Sequence, residues 1–150
     1  MDVRRLRSGE LLAGAGALGL AIVMFLDWFG GRSAWATLAV GRVLLVLTIV
    51  LALTLVVLTL RARAVSMATS AATVTIGVGA LALVHLLYRI GLDEPGPNGL
   101  VSIDAGAYLG LACVLVLIGG AWRTLADERT GAGSSLRQTE RVLGVRAAPR

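Results

Sequence analysis

The sequence predicts an all-α membrane protein in which four transmembrane helices form an up-down bundle, with both termini in the cytoplasm. Three observations lead to this fold class. Of the 150 residues, 57% are hydrophobic and only 15% are charged, so the chain has too little polar surface to cover a soluble core. The apolar residues fall into four long runs, which is the second observation. The third is that arginines gather at alternate ends of those runs.

Each apolar run approaches the length that a helix needs to cross a bilayer core, which is about 20 residues. The predicted spans cover residues 11–29, 39–60, 67–88 and 105–122. The first extends to Phe29 if Asp27 lies at the membrane interface. These spans define a transmembrane domain over residues 1–125, followed by a basic tail over residues 126–150 that we expect to be flexible.

The first span also has features of a secretory signal, since Arg4, Arg5 and Arg7 precede it and Ala34-Trp35-Ala36 resembles a cleavage site. About ten residues separate the end of the apolar run from that site, which is long for this motif. We therefore expect the first span to be retained.

Arginines set the predicted orientation. Because cytoplasmic loops carry an excess of arginine, the richer side is assigned to the cytoplasm, and the location is the bacterial plasma membrane. The cytoplasmic set is Arg4, Arg5, Arg7, Arg61, Arg63, Arg123 and Arg129, and the opposite side carries Arg32, Arg42, Arg89 and the acids Asp27, Asp93, Glu94 and Asp104.

Small residues mark the surfaces on which the spans are expected to pack, because helices in lipid associate by close approach. The second span, rich in large branched residues, is expected to show the most surface to lipid. Gly106 and Gly110 form a GxxxG motif for which two uses stay open, packing within the bundle and pairing of protomers. Other packing surfaces are Gly9, Ala13, Ala17 and Ala21 in the first span, and Ser66, Thr69, Ser70, Thr73 and Gly77 in the third.

Three polar residues are the candidate interhelical or outer-interface site: Asp27, Arg42 and His85. Asp27 and Arg42 lie near the outer ends of consecutive antiparallel helices, so we expect them to pair and fasten the first hairpin. Free contact of Arg42 with lipid headgroups is the alternative. His85 is the single histidine, near the outer end of the third span, where polar side chains are ordinary.

The stretch FLDWFGGRSAW, residues 25–35, is predicted to be a hairpin tip. Gly30 and Gly31 permit the turn, and Trp28 and Trp35 are expected to anchor it at the outer membrane surface. Asp104 is expected to cap the fourth helix. Glu10 fits the positive end of the first helix, among the preceding arginines, better than a role in proton coupling.

The chain shows no Walker loop, no GxSxG, no HExxH and no CxxC, so we expect no enzyme activity, cofactor or metal site. The arginines that give the chain its net charge of +5 lie beside apolar runs, which favours a membrane over nucleic acid as partner. The leading hypothesis is a structural or accessory protein that contacts the lipid bilayer and a second copy or a larger membrane complex. The alternative is a small oligomeric transporter or pore, and a lipid-modifying enzyme ranks last.

The segments RRLRSGELLAGAGALGLAIVMFLDWF, LLVLTIVLALTLVVLT, HLLYRI and AGAYLGLACVLVLIGGAWRTLADER resemble an uncharacterised group of small proteins with four transmembrane helices found in actinobacterial genomes. That group commonly has a Phe-Leu-Pro-Trp-Tyr type motif at the end of its first span, where this chain has Asp27 in place of proline. The resemblance implies the fold and the compartment, and it implies no activity.

Overall fold

The structure, a computed structural model, describes residues 8–61, 65–92 and 102–146, and within them the side chains of residues 8–61, 69–92 and 102–127. Arg4, Arg5, Arg7, Arg63, Asp93 and Glu94, together with the side chain of Ser66, lie outside this part of the chain. The elements are α1 (Ser8–Val23), β1 (Asp27–Phe29), β2 (Arg32–Ser33), α2 (Ala34–Thr37), α3 (Ala39–Leu60), α4 (Val65–Gly91) and α5 (Ala105–Arg146).

Three helical segments are long and apolar enough to cross a membrane: Ala39–Leu60, Thr69–Gly91 and Ala105–Asp127. The chain is therefore compatible with an integral membrane protein. The fourth apolar helix, α1, is shorter, with 16 residues. It ends at Val23, so the helix predicted to reach residue 29 stops six residues earlier. The chain turns over residues 24–26 and enters β1, which carries the buried Trp28.

The long helices contact one another in a closed order, in which α1 lies against α3 and α5, and α4 lies against the same two helices. The closest approach is between α1 and α5. A Cβ added at Gly9 would lie 2.6 Å from the Thr124 hydroxyl oxygen, and one added at Gly16 would lie 2.7 Å from the Leu117 backbone nitrogen. The two backbones touch because these positions lack side chains, as the small residues of the first span predict.

The packed face of α4 differs from the face that the sequence predicts. Ala72, Thr75 and Ala82 are buried against the other helices, whereas Thr73 and Gly77 are exposed. The Thr73 hydroxyl donates to the carbonyl of Thr69 at 3.0 Å, which satisfies it within its own helix. The hydroxyl-rich stripe therefore lies on the outside of the helix assembly.

Helix α3 is the least buried of the three long apolar segments. In its most apolar stretch 22% of the residues are buried, against 28% for Thr69–Gly91 and 39% for Ala105–Asp127. This agrees with the prediction that the second span shows the most surface. Its branched side chains cannot let a neighbouring backbone approach as closely as glycine does.

Helix α5 continues to Arg146, through most of residues 126–150, which the sequence predicts to be a flexible tail. The apolar part ends near Asp127, and the helix extends beyond it. The glycines and serines at residues 131–135 do not break the helix, because the flanking Leu, Arg, Gln and Glu residues have high helix propensity and propagation from a formed helix is favourable.

Candidate functional site

The three candidate polar residues, Asp27, Arg42 and His85, lie at one end of the molecule. We call this end, which carries residues 23–42, 85–92 and 102–110, the hairpin end. Strands β1 and β2 form a tight antiparallel hairpin there, with Asp27 opposite Ser33 and Phe29 opposite Arg32. Gly30 and Gly31 make the turn with φ values of 55° and 71°. Two consecutive positive φ angles are what a two-residue hairpin loop of type I′ requires, so the predicted role of both glycines is confirmed.

A third extended segment, residues 102–104, joins the hairpin to the start of α5. The N–H of Gly30 donates to the carbonyl of Ser102 at 2.9 Å, and the N–H of Asp104 donates to the carbonyl of Trp28 at 2.8 Å. The Asp104 carboxylate accepts from the N–H of Gly31 at 2.8 Å. The carboxylate therefore points back to the hairpin and does not cap α5 as predicted. The contact of Asp104 with the first turn of α5 is made by its backbone carbonyl, which accepts from the N–H of Ala107 at 3.1 Å.

Trp28 is completely buried, with 0% of its surface exposed, so it is not the interfacial anchor that the sequence predicts. Its indole N–H donates to the carbonyl of Val23 at 2.7 Å. Its ring lies against Gly106 and Gly110, at which any Cβ would collide with it. The GxxxG motif therefore packs within this chain, where it admits an aromatic ring rather than a second helix.

Arg42 makes a different contact from the one predicted. Its guanidinium carbon lies 5.7 Å from the centre of the Trp35 ring, a cation–π distance. Trp35 in turn stacks on Phe25, with ring centres 5.9 Å apart and planes at 21°. Among the residues that the structure describes, no ion pair joins Asp27 to Arg42, and the carboxylate of Asp27 is on the exposed face of β1. The aromatic ring has replaced the expected acid as the neighbour of the arginine.

His85 lies on α4 against the first turn of α3. A Cβ added at Gly41 would be 2.7 Å from the His85 Nε2 atom, so the imidazole occupies the space that the glycine leaves. Residues 37–41, His85 and Arg89 line an open cleft of about 220 Å³ at this point. His85 therefore contacts Gly41, the residue before Arg42, on the side of α3 that faces α4. Arg42 itself contacts Trp35.

Glu10 and Cys113 lie away from the hairpin end. Glu10 lies in the first turn of α1, at the positive end of that helix as predicted, and is only 4% exposed. Cys113, the single cysteine of the sequence, is half-buried on α5 beside Gly19. Within the described residues, no group of three His, Cys, Asp or Glu side chains could hold a metal ion.

Sequence reasoning missed Trp28 and Trp35 as structural centres of this end of the molecule. The glycine pair Gly106 and Gly110 could have indicated the position of Trp28, because two glycines four residues apart leave a recess on a helix that an aromatic ring can fill. Nothing in the linear sequence pairs Trp35 with Arg42. Comparison of the chain with protein-family models, curated proteins and solved structures finds no match.

Proposed function

We propose that this protein is a multi-pass component of the bacterial plasma membrane, without catalytic activity of its own, that acts by packing against another membrane protein. In this proposal α1, α3, α4 and α5 form an up-down four-helix bundle with both termini in the cytoplasm. The arginine-rich helix ends support that orientation. The resemblance to the actinobacterial group of small four-span proteins supports the same fold and compartment.

The observation that carries the proposal is the exposed face of α4. Exposed positions on α1 and α3 include large apolar side chains, such as Leu18 and Ile22 on α1 and Val43 and Val50 on α3. The exposed side of α4 carries Val74, Leu81 and Val84, and beside them the small residues Ser70, Thr73, Gly77 and Ala80. A Cβ added at Gly77 would meet nothing within 4 Å. Small and hydroxyl side chains on an outward face allow a second transmembrane helix to approach closely, whereas lipid contact alone does not require them.

Gentle extraction from native membranes, followed by purification and identification of bound proteins, tests this proposal. Gly77→Leu fills the exposed face without a clash inside the chain, so the fold should persist while a bound partner is lost severalfold. Ala15→Leu, at an exposed position on α1, is the matched control and should keep the partner. Recovery of the wild-type chain as a lone monomer, or equal partner recovery with Gly77→Leu, would contradict the proposal.

The alternative of a small oligomeric transporter or pore places the same α4 face between copies of the chain. Thr73 would then line the path, because it points away from the neighbouring helices of its own chain. Flux measurements in liposomes separate the two functions: a solute flux that falls with Gly77→Leu and not with Ala15→Leu would favour transport over a purely structural role.

A further inference from the structure

We propose that Phe25, Trp35 and Arg42 form a binding site for the phosphate group of an anionic phospholipid in the leaflet beside the hairpin end. The three side chains come from three places in the chain: the turn after α1, the short helix α2 and the first turn of α3. The inference rests on the membrane placement proposed above, and it assigns a specific lipid contact to a defined group of residues.

Arg42 supplies the charge of this site. Of the residues that the structure describes, none gives Arg42 a carboxylate partner; its guanidinium lies instead over the Trp35 ring. An aromatic face attracts the guanidinium without neutralising it or occupying the N–H donors at its edge. Two of these donors in the plane of the guanidinium can bond two oxygens of one phosphate group, which is a bidentate contact.

The aromatic pair holds the arginine in place. The backbone N–H of Trp35 donates to the carbonyl of Met24 at 3.3 Å, which ties α2 to the end of α1. Trp35 is 45% exposed and Phe25 is 68% exposed, so both rings stand on the outer surface of the helices. Tryptophan favours the headgroup region of a bilayer, where one side of the ring is apolar and the indole N–H can meet polar groups. A preorganised arginine loses less conformational entropy on binding than a free one does.

The surface next to this cluster suits the acyl chains of the same lipid. Val46 lies one helical turn from Arg42 on α3, and Val50 follows one turn later; both are exposed. Ile22 and Leu18 continue in the same direction from Phe25 along α1 and are also exposed. The charged group therefore lies at the helix end, and exposed apolar side chains on both helices run from it toward the middle of the helices. This order matches a phospholipid, in which the phosphate lies at one end of the acyl chains.

Native mass spectrometry of the full chain in mild detergent tests the site. Phosphatidylglycerol and phosphatidylcholine with identical acyl chains are added in separate titrations. The wild-type chain should retain phosphatidylglycerol preferentially, and Arg42→Ala should bind it roughly five- to tenfold more weakly, as expected for loss of one charge-assisted contact. Trp35→Ala should also weaken binding, although it keeps the charge, because it removes the support of the guanidinium.

Arg32→Ala is the matched control, since Arg32 is an exposed arginine on the same hairpin and has no place in the cluster. It should bind phosphatidylglycerol as the wild-type chain does. Thermal unfolding followed by circular dichroism shows whether each variant remains folded. Equal retention of the two lipids by the wild-type chain would overturn the inference, as would binding to a folded Arg42→Ala chain that equals wild type. Partner recovery is measured separately through Gly77, so failure of one proposal does not imply failure of the other.

Discussion

At the residue scale, the organising side chain is Trp28, which fills the space opened by two glycines of α5. A tryptophan that is fully buried must satisfy its indole N–H, and the carbonyl of Val23 does this at the point where α1 has ended. The same carbonyl also accepts from the N–H of Leu26 at 3.0 Å. The end of α1 at Val23 thus supplies the acceptor that a buried indole needs.

Gly110→Ala should destabilise the protein by about 1–3 kcal/mol, as overpacking of a filled core does. The new Cβ would collide with the Trp28 ring, and that ring cannot move without losing its hydrogen bond to Val23. Gly119→Ala on the same helix is the control, because nothing lies within 4 Å of the added Cβ. Its stability should stay equal or rise by up to about 1 kcal/mol from helix propensity. Thermal or denaturant unfolding in detergent measures both, and equal effects of the two substitutions would show that Trp28 does not occupy this site.

At the scale of elements, the fold depends on the close pairing of α1 with α5 and on the hairpin that connects their ends. The helices are the first and last in the described order, so their contact has the largest separation in sequence. Glycine and alanine on both helices permit it, and the pairing of residues 102–104 with β1 fixes which ends meet. The hairpin therefore orients α5 relative to α1, in addition to turning the chain.

The pairing of α1 with α5 predicts a specific cross-link. A Cβ added at Gly19 would lie 3.0 Å from the Sγ atom of Cys113, which is close to the separation of these atoms in a disulfide. Gly19→Cys should therefore form an intramolecular disulfide with Cys113 under mild oxidation, detected by mass spectrometry of the linked peptides.

Gly77→Cys on the outward face of α4 serves as the control and should form no such bond within one chain. Because Cys113 is the single native cysteine, every intramolecular link in these variants identifies one helix contact. Absence of the link in Gly19→Cys, in a folded chain, would refute the register of α1 against α5.

At the scale of the whole molecule, the described chain has apolar exposed surface on most sides, and its charged and aromatic groups collect at the helix ends. This distribution suits a bilayer, in which the apolar middle of the helices meets lipid tails and the ends meet headgroups. In the described part of the chain the hairpin end carries Arg32, Arg42, His85 and Arg89 together with the acids Asp27 and Asp104. The opposite end carries Arg61, Arg123, Glu10 and Asp127 in the described part of the chain.

The proposed topology gives a direct expectation for reporter fusions. Alkaline phosphatase is active only outside the cytoplasm, so a fusion at the C-terminus should be inactive and an insertion near Asn98 should be active. The physical reason is the arginine excess at the helix ends that carry residues 61 and 123, which resists translocation. The reverse pattern of activities would invert the orientation and move the proposed lipid site to the other leaflet.

The sequence by itself determined where the three long apolar helices lie along the chain, because the length and composition of an apolar run are read directly from residue type. The bounds of α3, the two glycines of the turn and the small-residue contact of α1 all follow from residue type and spacing. Contacts between distant residues do not. The burial of Trp28, the replacement of the Asp27–Arg42 pair by the Trp35 contact, the outward face of α4 and the position of His85 against Gly41 depend on how the helices rotate about their own axes. An apolar helix in lipid has no polar face to set that rotation, so only close packing in the tertiary structure decides it.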